Sequence, residues 1–155
     1  MIKFGILTLV LSFLICCDSP KGMKTMDFGK FTIEVPAAWK KKKLWIEDSY
    51  VGGIVMESGD MAEFDLGWYS NNLEDLDSAL HDIEWKFIDG RKAKVVTARG
   101  LNGYTGIYID SLWNRGTYGE YSLVDGFQMG ASDLDLENKE RLKAALTTLK
   151  FYRDR

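Results

Sequence analysis

Two short turn sequences set the terms of the fold. Asp89-Gly90 and Asn102-Gly103 are residue pairs that readily supply the positive φ angles of a tight hairpin. Each lies between stretches rich in β-branched and aromatic residues. Glu84 to Ile88 and Arg91 to Ala98 flank the first turn; Val95 to Thr97 and Tyr104 to Asp110 flank the second. Asn114-Arg115-Gly116 predicts a third turn before a strand over Tyr118 to Val124, and Phe127 to Gly130 is expected to close the sheet. Turns this short join antiparallel neighbours, since a parallel pair needs a long crossover.

Upstream, Phe31, Ile33 and Val35 alternate with polar residues, the pattern of a half-buried strand, and Pro36 ends it by removing a ladder donor. Ala37-Ala38-Trp39 reads as a turn, and Lys40 to Lys43 as a solvated strand entrance. Further strands are expected over Leu44 to Asp48, Gly53 to Glu57 and Glu63 to Tyr69, the last with Phe64, Leu66 and Trp68 on one face. Leu73, Leu76, Leu80 and Ile83 then recur at helical spacing, with Asn71 or Asn72 as a cap and Glu74 and Asp75 in the first turn. This predicts a mid-chain helix over residues 73–83. A second helix is expected over Glu137 to Thr148, capped by Ser132, Asp133 or Asp135, running into a short edge strand over Leu149 to Tyr152. The reading is a single α+β domain, residues 27–155: an antiparallel sheet with a mid-chain helix and a C-terminal helix.

The N-terminus has a different character. A basic start at Lys3 precedes twelve uncharged residues, Phe4 to Ile15. A membrane-spanning helix needs about 20 apolar residues, so the run has the length of a secretory leader. Leu14-Ile15-Cys16-Cys17-Asp18-Ser19 follows and resembles the lipobox of bacterial lipoproteins, with Leu14 third before Cys17. Cleavage before Cys16 instead would place Phe13 at the leucine position and Ile15 beside the cut. The resemblance implies a signal peptide of residues 1–16, diacylglycerol and fatty acyl groups on Cys17, and a tether over 17–26. It places the protein on a membrane at the exported side of the bacterial envelope, periplasmic or outer surface. With Cys17 lipidated, neither a free thiol nor a disulfide remains, and the domain rests on its apolar core.

Charge excludes one class of partner. The chain has 20 Lys and Arg against 23 Asp and Glu, a formal net charge of −3, and Lys3 leaves with the leader. Nucleic-acid binding asks for a basic face, so no nucleic-acid partner is expected.

The residues that suggest chemistry have plainer explanations. His81, the lone histidine, follows Asp77 by four residues and Ser78 by three; no Gly-x-Ser-x-Gly elbow surrounds the serine, and a helix-surface histidine is the simpler reading. Asp133, Asp135 and Glu137 alternate like a calcium loop, but Asn138 and Ala144 stand where that loop needs Gly and Glu, which leaves helix capping. Gly100, Gly103 and Gly106 precede a strand rather than a helix and offer no phosphate cradle. No catalytic residue, metal site or cofactor is expected. The stretch from Trp113 to Tyr121 is richer. Trp113, Arg115, Tyr118 and Tyr121, with Trp68, form a candidate binding surface, because exposed Trp, Tyr and Arg are the usual anchors of interfaces.

The opening strand carries a second resemblance. Phe31, Ile33, Pro36 and Trp39 are similar to the F-x-I-x-x-P-x-x-W start of Mog1/PsbP-like domains, which also end in a helix running into an aromatic strand, as Leu142 to Phe151 does here. The resemblance implies an α-β-α sandwich and a non-catalytic role as an assembly factor or regulator of a partner. The expected function is a membrane-tethered protein-binding or assembly-support module with a partner in the envelope. The alternatives are a carrier of a small ligand (sugar, lipid or peptide) through an aromatic pocket, and a carboxylate-dependent hydrolase.

Overall fold

A computed structural model describes residues 22–45, 49–68, 70–118 and 121–152, with the side chains of 115–118 and 121–124 excepted. The elements run β1 (Met23–Asp27), β2 (Phe31–Pro36), β3 (Lys40–Lys43), β4 (Tyr50–Val55), β5 (Met61–Gly67), β6 (His81–Ile88), β7 (Arg91–Ala98), β8 (Tyr104–Tyr118), β9 (Tyr121–Ser132), α1 (Leu136–Leu146) and β10 (Lys150–Phe151). The fold is dominated by antiparallel sheet, with one helix near the C-terminus among the described residues.

Seven strands form the main sheet in the order β3-β4-β5-β9-β8-β7-β6, every neighbouring pair antiparallel. A smaller sheet, β1-β2-β10, lies with α1 against one face of it. Alternation decides which residues meet. Phe64 and Leu66 on β5, Phe127 and Met129 on β9, Ile107 and Ile109 on β8, and Ala93 and Val95 on β7 all point to the covered face and are buried. Phe31 from β2 enters this layer fully buried. Its ring lies 4.9 Å from that of Phe64 and 5.0 Å from that of Phe127, both edge to face, and 5.9 Å from Phe151. Such pairs contribute roughly 0.5–1.5 kcal/mol each beyond their buried area. Leu142, Ala145 and Leu146 bring α1 onto the same core.

Several expectations are corrected. No helix forms over 73–83. Leu73 N–H donates to the Asn71 side chain at 2.7 Å, Glu74 N–H to Asn72 at 3.1 Å and Ala79 N–H to Asp77 at 2.8 Å, and Leu73 takes a left-handed φ of 57°. These side chains satisfy the backbone locally and compete with the helix they were expected to cap. The segment folds as turns, and its last residues, from His81, belong to β6. The third turn is also displaced: the chain continues extended through Asn114-Arg115-Gly116, and Tyr118 pairs with Tyr121 beyond it. Irregular register between Ile109 and Trp113 and between Asn114 and Thr117, with Ser111 at φ 52°, bends the hairpin without ending it. Lys40–Lys43 is a strand at the edge of the main sheet. Met23–Asp27, expected within the tether, pairs along its whole length with β2.

Other readings hold. Asp89 (φ 50°) and Gly90 (φ 74°) make the β6–β7 turn. Gly103 (φ 117°) lies in the turn before β8. Asp135 caps α1, accepting from Asn138 N–H at 2.7 Å. The lipobox and Cys17 lie outside the described residues.

Candidate functional site

The main sheet ends in two very different edges. At one, β3 is four lysines in a row, all exposed, a charged rim of the kind that blocks edge-to-edge pairing. At the other, β6 reads Asp82-Ile83-Glu84-Trp85-Lys86-Phe87, and no strand among the described residues covers its outer side. Its apolar residues point to the face of the sheet that α1 does not cover. Ile83 is 40%, Trp85 59% and Phe87 80% exposed. Lys92 Nζ sits 4.5 Å above the Trp85 ring. On the opposite face, Lys86 Nζ pairs with Glu84 at 2.8 Å, and the hydrogen bond and charge of Lys86 hold the Glu84 carboxyl below its ordinary value.

A groove runs beside this edge on the helix side. Lys86, Ile88, Val95 and Ile107 form its sheet wall, and Glu140, Lys143, Ala144 and Thr147 its helix wall, enclosing about 210 Å³. The floor is apolar and the rim charged. An extended chain laid along β6 would meet aromatic rings on one face and this groove on the other, the two requirements of recognition by strand addition.

Two other hollows flank the opposite half of the sheet. One, of about 440 Å³, is lined by Glu63, Asp65, Tyr104 and Gln128 on the outer face. The Tyr104 ring lies flat over Gly106 and Gly130, where any Cβ would collide with it, and its hydroxyl accepts from the Gln128 amide. Burial holds that hydroxyl far above its usual pKa. Asp65 Oδ1 is buried with no hydrogen-bond partner. Burial raises the pKa of this carboxyl, and a hydrogen bond from Ser49 offsets part of the rise. The second hollow, about 480 Å³, is lined by Phe28, Tyr50, Phe64, the strongly exposed Trp45, and Lys41 to Lys43. Its lysines are partly committed: Lys41 donates to Asp27 O at 2.6 Å and lies 4.6 Å from the Phe28 ring centre.

The residues singled out from sequence are not brought together. Trp113 is 8% exposed and belongs to the core. Lys30 Nζ lies 5.4 Å above its ring, and its indole N–H is buried without an acceptor. The tryptophan continues the inward phase of Ile107 and Ile109 along β8 and pairs with the buried Asp125, so it is no surface anchor. Arg115, Tyr118 and Tyr121 lie on the far hairpin of β8 and β9, and their side chains fall outside the described residues. Trp68 is half exposed just past β5. His81 is buried and fully engaged: Nε2 accepts from Tyr104 N–H at 3.1 Å, which leaves Nδ1 to donate to Asp77 O at 2.8 Å. The Asp133 carboxylate accepts from Gly103 N–H at 2.8 Å. No group of three His, Cys, Asp or Glu side chains converges on a metal position among the described residues. A strand over Glu84 to Ile88 was expected, but its start was missed because Ile83 falls on the helical stripe, and its place at the sheet edge depends on the strand order. The alternation of Asp82, Glu84 and Lys86 with Ile83, Trp85 and Phe87 was its available signal. Compared with known proteins, the chain matches no family profile, no curated protein and no solved structure.

Proposed function

We propose that this chain is a lipid-anchored protein of the bacterial envelope whose domain binds another protein along the edge of β6, without catalysis or a cofactor. The observation that carries the reading is the contrast between the two sheet edges. One is armoured with lysine, while the other, among the described residues, presents unpaired backbone beside Ile83, Trp85 and Phe87. An aromatic edge left open in this way is an aggregation hazard unless it has an occupant. The anchor rests on the lipobox at Cys17. A Mog1/PsbP-like arrangement is supported by the fully buried Trp39 of the opening motif and by β10, which follows α1 and pairs with β2.

Photo-crosslinkers placed at Trp85 and at Trp68 in the membrane-bound protein test the reading. A defined product at Trp85, absent at Trp68 and lost in Ile83→Lys, is the expected result; equal, nonspecific capture at both positions would overturn it. Fatty-acid labelling of the full chain, abolished by Cys17→Ser, tests the anchor.

A second reading has one observation of its own. The Asp65 carboxyl lines the outer-face hollow beside Glu63, Tyr104 and Gln128, a polar setting that suits a small ligand that donates hydrogen bonds. Such a ligand raises the melting temperature by binding linkage, in the wild type and not in Asp65→Asn.

A further inference from the structure

We infer that β6 pairs with β6 of a second copy of this chain, antiparallel and centred on Trp85, joining two seven-stranded sheets into one. This rests on the protein-binding reading above and names the partner. Three observations carry it.

The first is which backbone groups are free. In an antiparallel ladder, alternate residues direct N–H and C=O toward the neighbour. Arg99 N–H donates to Leu80 O at 2.9 Å, and Ile88 faces Arg91 across the two-residue turn, a hydrogen-bonded position. The even-numbered residues of β6 therefore face β7. Ile83, Trp85 and Phe87 turn their N–H and C=O groups to the open edge.

The second is that the strand is complementary to itself about Trp85. A two-fold axis through that residue places Trp85 opposite Trp85 of the copy in a hydrogen-bonded pair, with Ile83 opposite Phe87. On the other face it sets Glu84 against Lys86 of the copy and Lys86 against Glu84, so the ion pair within each strand becomes an alternating four-charge cluster. The neighbouring registers that use the same free groups lack this match: centring on Glu84 or on Lys86 sets that residue against its own copy, a like-charge pair on the axis. Centring on Ile83 puts Glu84 against Asp82, a like-charge pair. Centring on Phe87 runs Trp85 into the turn residue Asp89 and leaves Glu84 beyond the strand end. Charge thus selects one register among those that the free groups allow.

The third is orientation. The two-fold axis of such a pairing is perpendicular to the sheet, so both copies present the same face to the same side. β1, the first described strand, then lies on one side of the assembly in both copies. Two chains anchored through their N-termini in one membrane meet in this arrangement without either being inverted, and their shared confinement raises the effective concentration.

The test is sedimentation velocity of the full chain in detergent micelles, over a range of protein concentrations, with Glu84→Lys, Lys86→Glu and their equimolar mixture. Both side chains are about half exposed, so the variants keep the wild-type circular dichroism, and their melting temperature falls only by what association adds. Wild type sediments as a two-chain species. Each single reversal sets like charges opposite each other at two places and weakens association by about ten-fold or more. The mixture restores the two-chain species, because the lysines of one variant then face the glutamates of the other. A wild type that stays monomeric, or single reversals that associate as well as wild type, would overturn self-pairing. If the wild type is monomeric while a crosslinker at Trp85 captures a different envelope protein, self-pairing falls and the protein-binding reading stands. If both results are negative, both fall.

Discussion

His81 shows how a residue suggestive of catalysis can be wholly structural. Both ring nitrogens bond to backbone, to Tyr104 N–H and to Asp77 O, in a side chain only 5% exposed. Replacing it removes the partners of the Tyr104 N–H and the Asp77 carbonyl, and since both bonds are only part-buried the cost is about 1–3 kcal/mol in all. His81→Leu is expected to lower the urea midpoint accordingly while leaving the slope unchanged. Asp65 carries the opposite sign. Its folded-state pKa is raised, mainly by burial, so the folded protein holds this proton more tightly than the unfolded chain. The carboxylate costs nothing below its unfolded pKa. Its cost then grows as pH rises through the window between the unfolded and folded values, and is complete above it. Asp65→Asn is expected to be more stable than wild type at neutral pH, with the advantage shrinking in acid; denaturation curves at several pH values check it. The sequence offered no way to rank this aspartate above the other acids, because its burial depends on strands distant in the chain.

At the scale of elements, legibility tracked how local the deciding interactions are. The turn at Asp89-Gly90 and the cap at Asp135 are determined within three or four residues, and both were readable. Asp135→Ala removes the acceptor for Asn138 N–H and is expected to cost roughly 0.5–2 kcal/mol, measured by thermal unfolding. The segment from Leu73 to Ile83 failed because its apolar spacing is helical while local side-chain bonds and the start of β6 decide its conformation. The side chains of Asn71 and Asn72, weighed as caps, and of Asp77, weighed beside His81, instead close a series of turns. Trp113 was misread because Asn114-Arg115-Gly116 has the composition of a turn, which would put the tryptophan at a hairpin tip; the strand instead runs on to Tyr118, and Trp113 keeps the inward phase of Ile107 and Ile109. The long hairpin also depends on glycine at a place the sequence marks only weakly. A Cβ at Gly130 would strike the Tyr104 hydroxyl and the Thr105 carbonyl, whereas Gly100 has open space around it. Gly130→Ala is expected to destabilise by roughly 1–3 kcal/mol, and Gly100→Ala by less than about 0.5 kcal/mol, in the same unfolding assay.

For the molecule as a whole, the antiparallel sheet and the terminal helix were legible, while the strand order was not. Nothing in the local pattern says that β9 lies between β5 and β8, or that β3 and β6 form opposite rims. That order fixes where the structure should open first. Amides of β9 from Gly126 to Gly130, flanked by strands on both sides, are expected to exchange most slowly with deuterium, and those of the lysine edge among the fastest.

The placement of β2 has a temporal meaning. It pairs with β1 on one side and with β10 on the other, and Glu34 N–H donates to Thr148 Oγ1 across 114 residues of chain. A polypeptide made from its first residue onward therefore carries the aromatic seed at Phe31 long before Phe151 emerges to seal it. The core cannot close over a partial chain, so this sheet is completed only when the last strand is delivered.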